Sequence, residues 1–162
     1  MAASMLASVN STYTDIVTSV FSSPIAAKAW FASAAGVFAL LQIVTAARIF
    51  GKLPRIVPKS FLGVPVAAVH RWSGRIAFLC TLPVAFHCIF ILGFQTTDTR
   101  VLVHSLLGSF FYGVFAVKVL VVRDHGLPGW ALPVAGGVLF TMLLSLWGTS
   151  SFWYFTNVRF GF

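Results

Sequence analysis

Four histidines carry the chemistry open to this 162-residue chain: His70, His87, His104 and His125. An ionisable side chain inside a membrane helix is costly unless it is paired, so it marks a functional position by default. His87 lies seven residues before Phe94 and His104 three residues after Val101, on the two sides of one tight connection. At the rise of an α-helix this puts them roughly 10 and 5 Å below the same membrane surface. Two neutral imidazoles at similar depth on antiparallel neighbours suit the axial positions of a b-type haem iron, with the apolar bundle holding the porphyrin.

A porphyrin needs room. Gly108 follows His104 by one turn, about 40° round the helix, and removes a side chain where the macrocycle would lie. Phe111 and Phe115 continue that stripe, while Cys80 and Pro83 lie beneath His87. Pro83 is expected to kink its helix and widen the gap. Arg100, at the rim, is placed to pair with haem propionates. Two plainer readings stand beside this one: imidazoles hydrogen-bonded to neighbouring helices, and a metal other than haem. His70, beside Arg71 and Trp72, could shape a quinone or proton site with Arg75, or hold a second haem with His125. Lys118 is expected to snorkel to the cytoplasmic side.

Four apolar segments position these residues: Ala29 to Phe50, Ala67 to Phe94, Val101 to Val122 and Trp130 to Phe155. Each is long enough to cross a bilayer, which takes about 20 residues. Short connections make consecutive helices antiparallel neighbours, so the expected fold is an all-α, integral-membrane four-helix bundle. Its divisions are an N-terminal outward-facing segment over 1–28, the transmembrane domain over 29–156 and a tail over 157–162. Within the first segment, Ser11 to Phe21 has the spacing of a short interfacial helix, with a frayed tail as the alternative. Trp30, Trp72, Trp130, Trp153 and Tyr154 lie at segment ends as interface anchors. Ala32 with Gly36, and Gly136 with Gly137, suit close helix packing.

Orientation follows from the basic residues. Of eleven, six (Arg48, Lys52, Arg55, Lys59, Arg71 and Arg75) fall in and around the first connection. That connection and the third are therefore expected in the cytoplasm, with both termini and the QTTDTR loop outside. The same clustering sets aside a nucleic-acid surface, despite a net charge of +8. Apolar residues make up 59% and charged residues 9% of the chain, which excludes an ordinary soluble enzyme. Cys80 and Cys88 are two helical turns apart, too far to pair on one helix, and no CxxCH motif offers covalent haem attachment.

The run His70-Arg71-Trp72-Ser73-Gly74-Arg75, followed by His87 and His104, resembles the haem-bearing core of small membrane cytochromes b and the ferric-reductase-like transmembrane domain. That family places two histidines on each of two helices. The intervals here are 17 residues (His70 to His87) and 21 (His104 to His125), so the resemblance carries over to His87 and His104 alone. A longer stretch, from HRWSGRIAFL through PVAFHCIFILGFQTTDTRVLVHSLLGSFFYG to VLVVRDHGLPGWALPVAGGVLF, is similar to an uncharacterised actinobacterial family of small four-helix membrane proteins. It implies a bacterial plasma-membrane setting.

The expected function is that of a membrane b-type cytochrome subunit. It would carry electrons between the quinone pool and an outward-facing redox partner, such as another respiratory-complex subunit, through haem b. No nucleotide-binding motif is present, so a reductase would act in trans. The alternative is a cofactor-free structural or anchor subunit whose histidines are interhelical glue. A transporter is disfavoured, because three acidic residues offer no charged pathway and Gln42 is the only other strongly polar side chain deep in a span.

Overall fold

The computed structural model describes residues 2–53, 56–124 and 126–158. Helix α1 (Ala2–Thr18) leads into α2 (Pro24–Ile49). Strands β1 (Ser60–Phe61) and β2 (Val64–Pro65) form a small antiparallel hairpin before α3 (Val66–Phe86), which continues as a π-helical turn, His87–Leu92. Then come α4 (Thr99–Arg123), α5 (Ala131–Trp147), a second π turn (Gly148–Phe152) and α6 (Trp153–Asn157). The spans Pro24–Ile49, Val66–Leu92, Thr99–Arg123 and Ala131–Asn157 are long and apolar enough to cross a membrane, the pattern of a multi-pass membrane protein.

Local chemistry sets the element ends. Ser23 caps α2 by accepting from the Ala26 N–H at 3.1 Å, and Pro24 occupies the first turn, where no N–H is needed. Asp98 caps α4 by accepting from the Val101 N–H at 2.9 Å. The hairpin turns through Leu62 (φ 48°) and Gly63 (φ 81°), left-handed conformations that a two-residue turn requires. The helix α2 begins at Pro24, five residues before the expected Ala29, so Pro24 to Lys28 belong to a span and not to the N-terminal segment. Residues 11–18 of the helix expected over 11–21 belong to the longer α1, which ends at Thr18.

Helix α2 is the hub. Its buried face is mostly alanine (Ala26, Ala27, Ala29, Ala35 and Ala39), which lets neighbours approach closely. Helix α3 packs along α2, α4 packs along α5, and α2 also meets α5. Tyr154 of α6 sits against Ala26 and Ala29, with Phe21 and Phe155 around it. Trp147 Nε1 donates to Ser33 Oγ at 2.9 Å, tying α5 to α2. Most large apolar side chains point outward, among them Leu79, Phe110, Leu120 and Leu144. A monomer in water does not expose such a surface; lipid covers it at no cost. A Cβ at Gly36 would lie 4.0 Å from the Trp147 ring, but nothing comes within 4 Å of one at Gly136 or Gly137. The expected packing role of that glycine pair is therefore not realised.

Consecutive helices do not all pack. Between α3 and α4 the backbones are held apart by large side chains: Phe78 stacks on Phe115 at 4.4 Å and meets Tyr112 edge-on at 5.9 Å. Tyr112 Oη also donates to Thr81 Oγ1 at 3.0 Å. From these bridges towards the α3–α4 connection, the gap opens into a cavity.

Candidate functional site

The cavity measures about 460 Å³, within the range of small-molecule sites. Its wall combines the α3 stripe Thr81, Val84, Ala85, Cys88, Ile89 and Leu92 with the α4 stripe His104, Ser105, Gly108, Phe111 and Tyr112. Leu143, Leu146, Trp147 and Ser150 close it from the α5 side, and Lys28 and Ala32 from α2. Gly108 lies on this wall, and a Cβ there would meet Leu146 Cδ2 at 3.9 Å, an ordinary contact.

Both π turns border this space. Cys88, Ile89 and Leu92 come from the first and Ser150 from the second. Such turns recur at functional sites because they re-aim side chains that a regular helix would place elsewhere. The first follows Pro83, which has no N–H to donate to the preceding turn. The second contains Gly148, Thr149 and Ser150, residues with weak helix preference whose hydroxyls bond back to carbonyls one turn earlier.

Thr149 organises His104. Its hydroxyl donates to the Ser145 carbonyl at 2.8 Å, while His104 Nδ1 lies 3.0 Å from the same oxygen. With the hydroxyl proton on the Ser145 carbonyl, the Thr149 oxygen is left to accept from His104 Nδ1–H. The ring is thereby assigned the tautomer that keeps a lone pair on Nε2, the arrangement of a metal-ligating imidazole held by an outer partner. Arg100, one turn before His104, donates to the Thr149 carbonyl at 2.6 Å. Two α4 side chains thus grip one residue of the second π turn.

Arg100 is otherwise occupied. Its guanidinium lies 4.3 Å above the Trp153 ring and 3.8 Å from an Asp98 carboxylate oxygen, and it does not line the cavity. The rim role expected of it toward propionates is not what its contacts serve. The basic residue on the cavity wall is Lys28.

His87 is buried at 7% exposure but does not line the cavity either. Its ring packs on Tyr13 of α1, with centroids 4.9 Å apart, and its Nδ1 has no hydrogen-bond partner among the described residues. Tyr13 Oη donates to the Pro83 carbonyl at 3.3 Å, so α1 lies against α3 at this level. Burial pushes the Tyr13 phenol above its ordinary pKa, keeping it a donor at neutral pH. The structure therefore brings His104 and Gly108 together on one wall, and sets His87 and Arg100 outside it.

At the opposite end, His70 faces α2. Thr45 Oγ1 donates to the Leu41 carbonyl at 2.6 Å and accepts from His70 Nδ1 at 2.8 Å, the same logic as at His104. Gln42 Nε2 donates to Ser73 Oγ at 2.7 Å and to the His70 carbonyl. Its amide lies over Gly74, where a Cβ would sit 3.1 Å from Gln42 Oε1. Arg75 is exposed and stacks over Trp72 at 4.8 Å, so it does not join His70 in one site. His125, expected as a partner of His70, lies outside the described residues. Cys80 and Cys88 are both free thiols, and only Cys88 reaches the cavity. Among the described residues no three His, Cys, Asp or Glu side chains cluster as a metal site.

With this geometry in place, the comparisons with known proteins add one result. A family model described as a family of unknown function, DUF6529, matches residues 4–162. The chain belongs to the DUF6529 family. No curated protein and no solved structure matches it significantly. The match covers α1 as well as the four spans, so the helix that packs on His87 is part of the DUF6529 unit. Sequence reasoning missed Lys28, Thr149 and Tyr13 in this chain. Two signals were there to read: Lys28 is the only basic residue before Arg48, and Gly148-Thr149-Ser150-Ser151 is a polar run inside an apolar span.

Proposed function

We propose that this DUF6529 chain is an electron-transfer subunit of the bacterial plasma membrane that lodges a b-type haem in the α3–α4 cavity. One observation carries the reading: an imidazole held through Nδ1 by Thr149 lines a largely apolar cavity with a glycine one turn below it. The donor chemistry fits a haem at His104. His87 would supply the second ligand; its unpartnered buried nitrogen is consistent with that role, and its ring would have to leave Tyr13 to fill it. Iron so held would cycle between ferric and ferrous states by one-electron transfer. The protein's part would be to orient His104 through Thr149 and to line the cavity with Leu143, Leu146 and Phe111. With the basic connection in the cytoplasm, the cavity lies in the outer leaflet. Electrons would then run between the quinone pool and a partner on the outer face.

A second reading, a cofactor-free anchor subunit, draws on the two His–Thr bonds, which tie α4 to α5 and α2 to α3. Interhelical bonds of this kind contribute about 0.6–2 kcal/mol each. The test is a reduced-minus-oxidised spectrum of the purified protein, with a haem count by pyridine haemochrome. A b-type spectrum that His104→Ala abolishes is the expected result. A folded, haem-free protein from haem-replete cells would overturn the cytochrome reading and leave the anchor.

A further inference from the structure

We infer that Lys28 is the anion-binding residue of the cavity, and that the ligand it accepts carries a carboxylate on an apolar body. The inference rests on the reading of the cavity as a ligand site. Lys28 is the one Lys, Arg, Asp or Glu among the described residues that line the cavity, whose wall includes Val84, Ile89, Leu92, Phe111 and Leu146. It has no hydrogen bond or ion pair within the described residues, whereas Arg100 and His104 at the same end are each bonded to Thr149. None of the three acidic residues serves it: Asp98 caps α4 and faces Arg100, Asp124 lies at the opposite end of α4, and Asp15 is on the exposed side of α1.

An ammonium held in an apolar, membrane-embedded wall is costly until an anion meets it. Position adds direction, since Lys28 sits in the first turns of α2 and His104 near the start of α4, at the same end of one cavity. A ligand anchored by its apolar body between α3 and α4 would present its acidic edge to Lys28. Haem propionate has this chemistry, and so does a free fatty acid. Arg100, paired with Thr149, Asp98 and Trp153, is not available for it.

The test compares acid with ester. Purified protein in nanodiscs is titrated with ferric haem and with its dimethyl ester, read by Soret absorbance, and with metal-free protoporphyrin and its dimethyl ester, read by tryptophan quenching. A hydrogen-bonded charge pair predicts that wild type prefers each acid over its ester by roughly 10- to 100-fold. Lys28→Gln should erase that preference, and Lys28→Arg should keep it. His104→Ala should lose the iron spectrum yet retain the acid preference for protoporphyrin, which separates this inference from the haem reading. If haem binds nowhere in wild type, cis-parinaric acid against its methyl ester puts the same question for a fatty acid. Equal affinity of acid and ester in wild type for all three pairs overturns the proposal, as does a preference that survives in Lys28→Gln. The wild-type comparison needs no variant, so a misfolded Lys28→Gln protein does not shelter it.

Discussion

Thr149→Val tests the logic of the site most directly. Valine matches threonine in shape but neither donates nor accepts. Its introduction leaves the His104 Nδ1–H, now 3.0 Å from an oxygen, facing a methyl group in a water-poor interior. An orphaned buried donor costs about 1–3 kcal/mol. The bare ring can also adopt the other tautomer, which places the proton on Nε2 and blocks it as a ligand. Loss of such an outer partner lowers metal affinity by roughly 10- to 100-fold, about 1.4–2.7 kcal/mol. The measurement is haem affinity by Soret titration, with the midpoint potential followed in parallel and helicity checked by far-ultraviolet circular dichroism. The expected result is weaker haem binding and a shifted potential with unchanged helix content, and restoration by Thr149→Ser. A Thr149→Val protein that binds haem as wild type does, within about twofold (about 0.4 kcal/mol), would refute the claim that this hydroxyl fixes the His104 tautomer.

Other outcomes follow from the same geometry. Gly108→Ala places a Cβ at ordinary contact distance from Leu146 Cδ2, so haem content should hold, whereas Gly108→Phe should fill the cavity and abolish it. Gly74→Ala should lower the melting temperature, because the new Cβ at 3.1 Å displaces the Gln42 amide and strands Ser73 and His70; the cost is on the order of 1–3 kcal/mol. Combining it with Gln42→Ala should then cost less than the sum of the two changes. A lipophilic maleimide should label Cys88 faster in haem-free than in haem-loaded protein, while labelling of Cys80, outside the cavity, should be indifferent to loading. Equal protection of both cysteines would place the ligand elsewhere.

The four spans were legible because apolar runs of this length have no other stable solution. Their boundaries moved by only a few residues: Asp98 and Ser23 set two starts through caps, as their residue types suggest. What misled was adjacency. A six-residue connection joins α3 to α4, yet α3 prefers the alanine face of α2 and α4 prefers α5. Small residues permit close approach where Phe78, Tyr112 and Phe115 forbid it, so helices consecutive in the chain became walls of a cavity. The facing of His87 was lost in the same way. Cys88 and Val84 turn to the cavity while His87, about 100° away from Cys88, turns to α1, whose packing no period in α3 reveals. Thr149 was hidden because a π turn breaks the regular count along the helix.

The two ends of the bundle use one device for different ends. Thr45 and Thr149 each return their hydroxyl proton to a carbonyl one turn back and accept from a histidine Nδ1. At His70 the surroundings are filled: Gln42, Ser73 and the close approach at Gly74 consume the polar groups, and none of them lines the cavity. The bond there is helix-to-helix glue between α2 and α3. At His104 the same bond stands beside open space, across from a lysine with no partner among the described residues and above a glycine. Hydrogen-bond chemistry alone does not separate a structural histidine from a ligand-bearing one. On the proposed reading the volume left beside the ring does, and here that volume exists because aromatic side chains hold α3 away from α4.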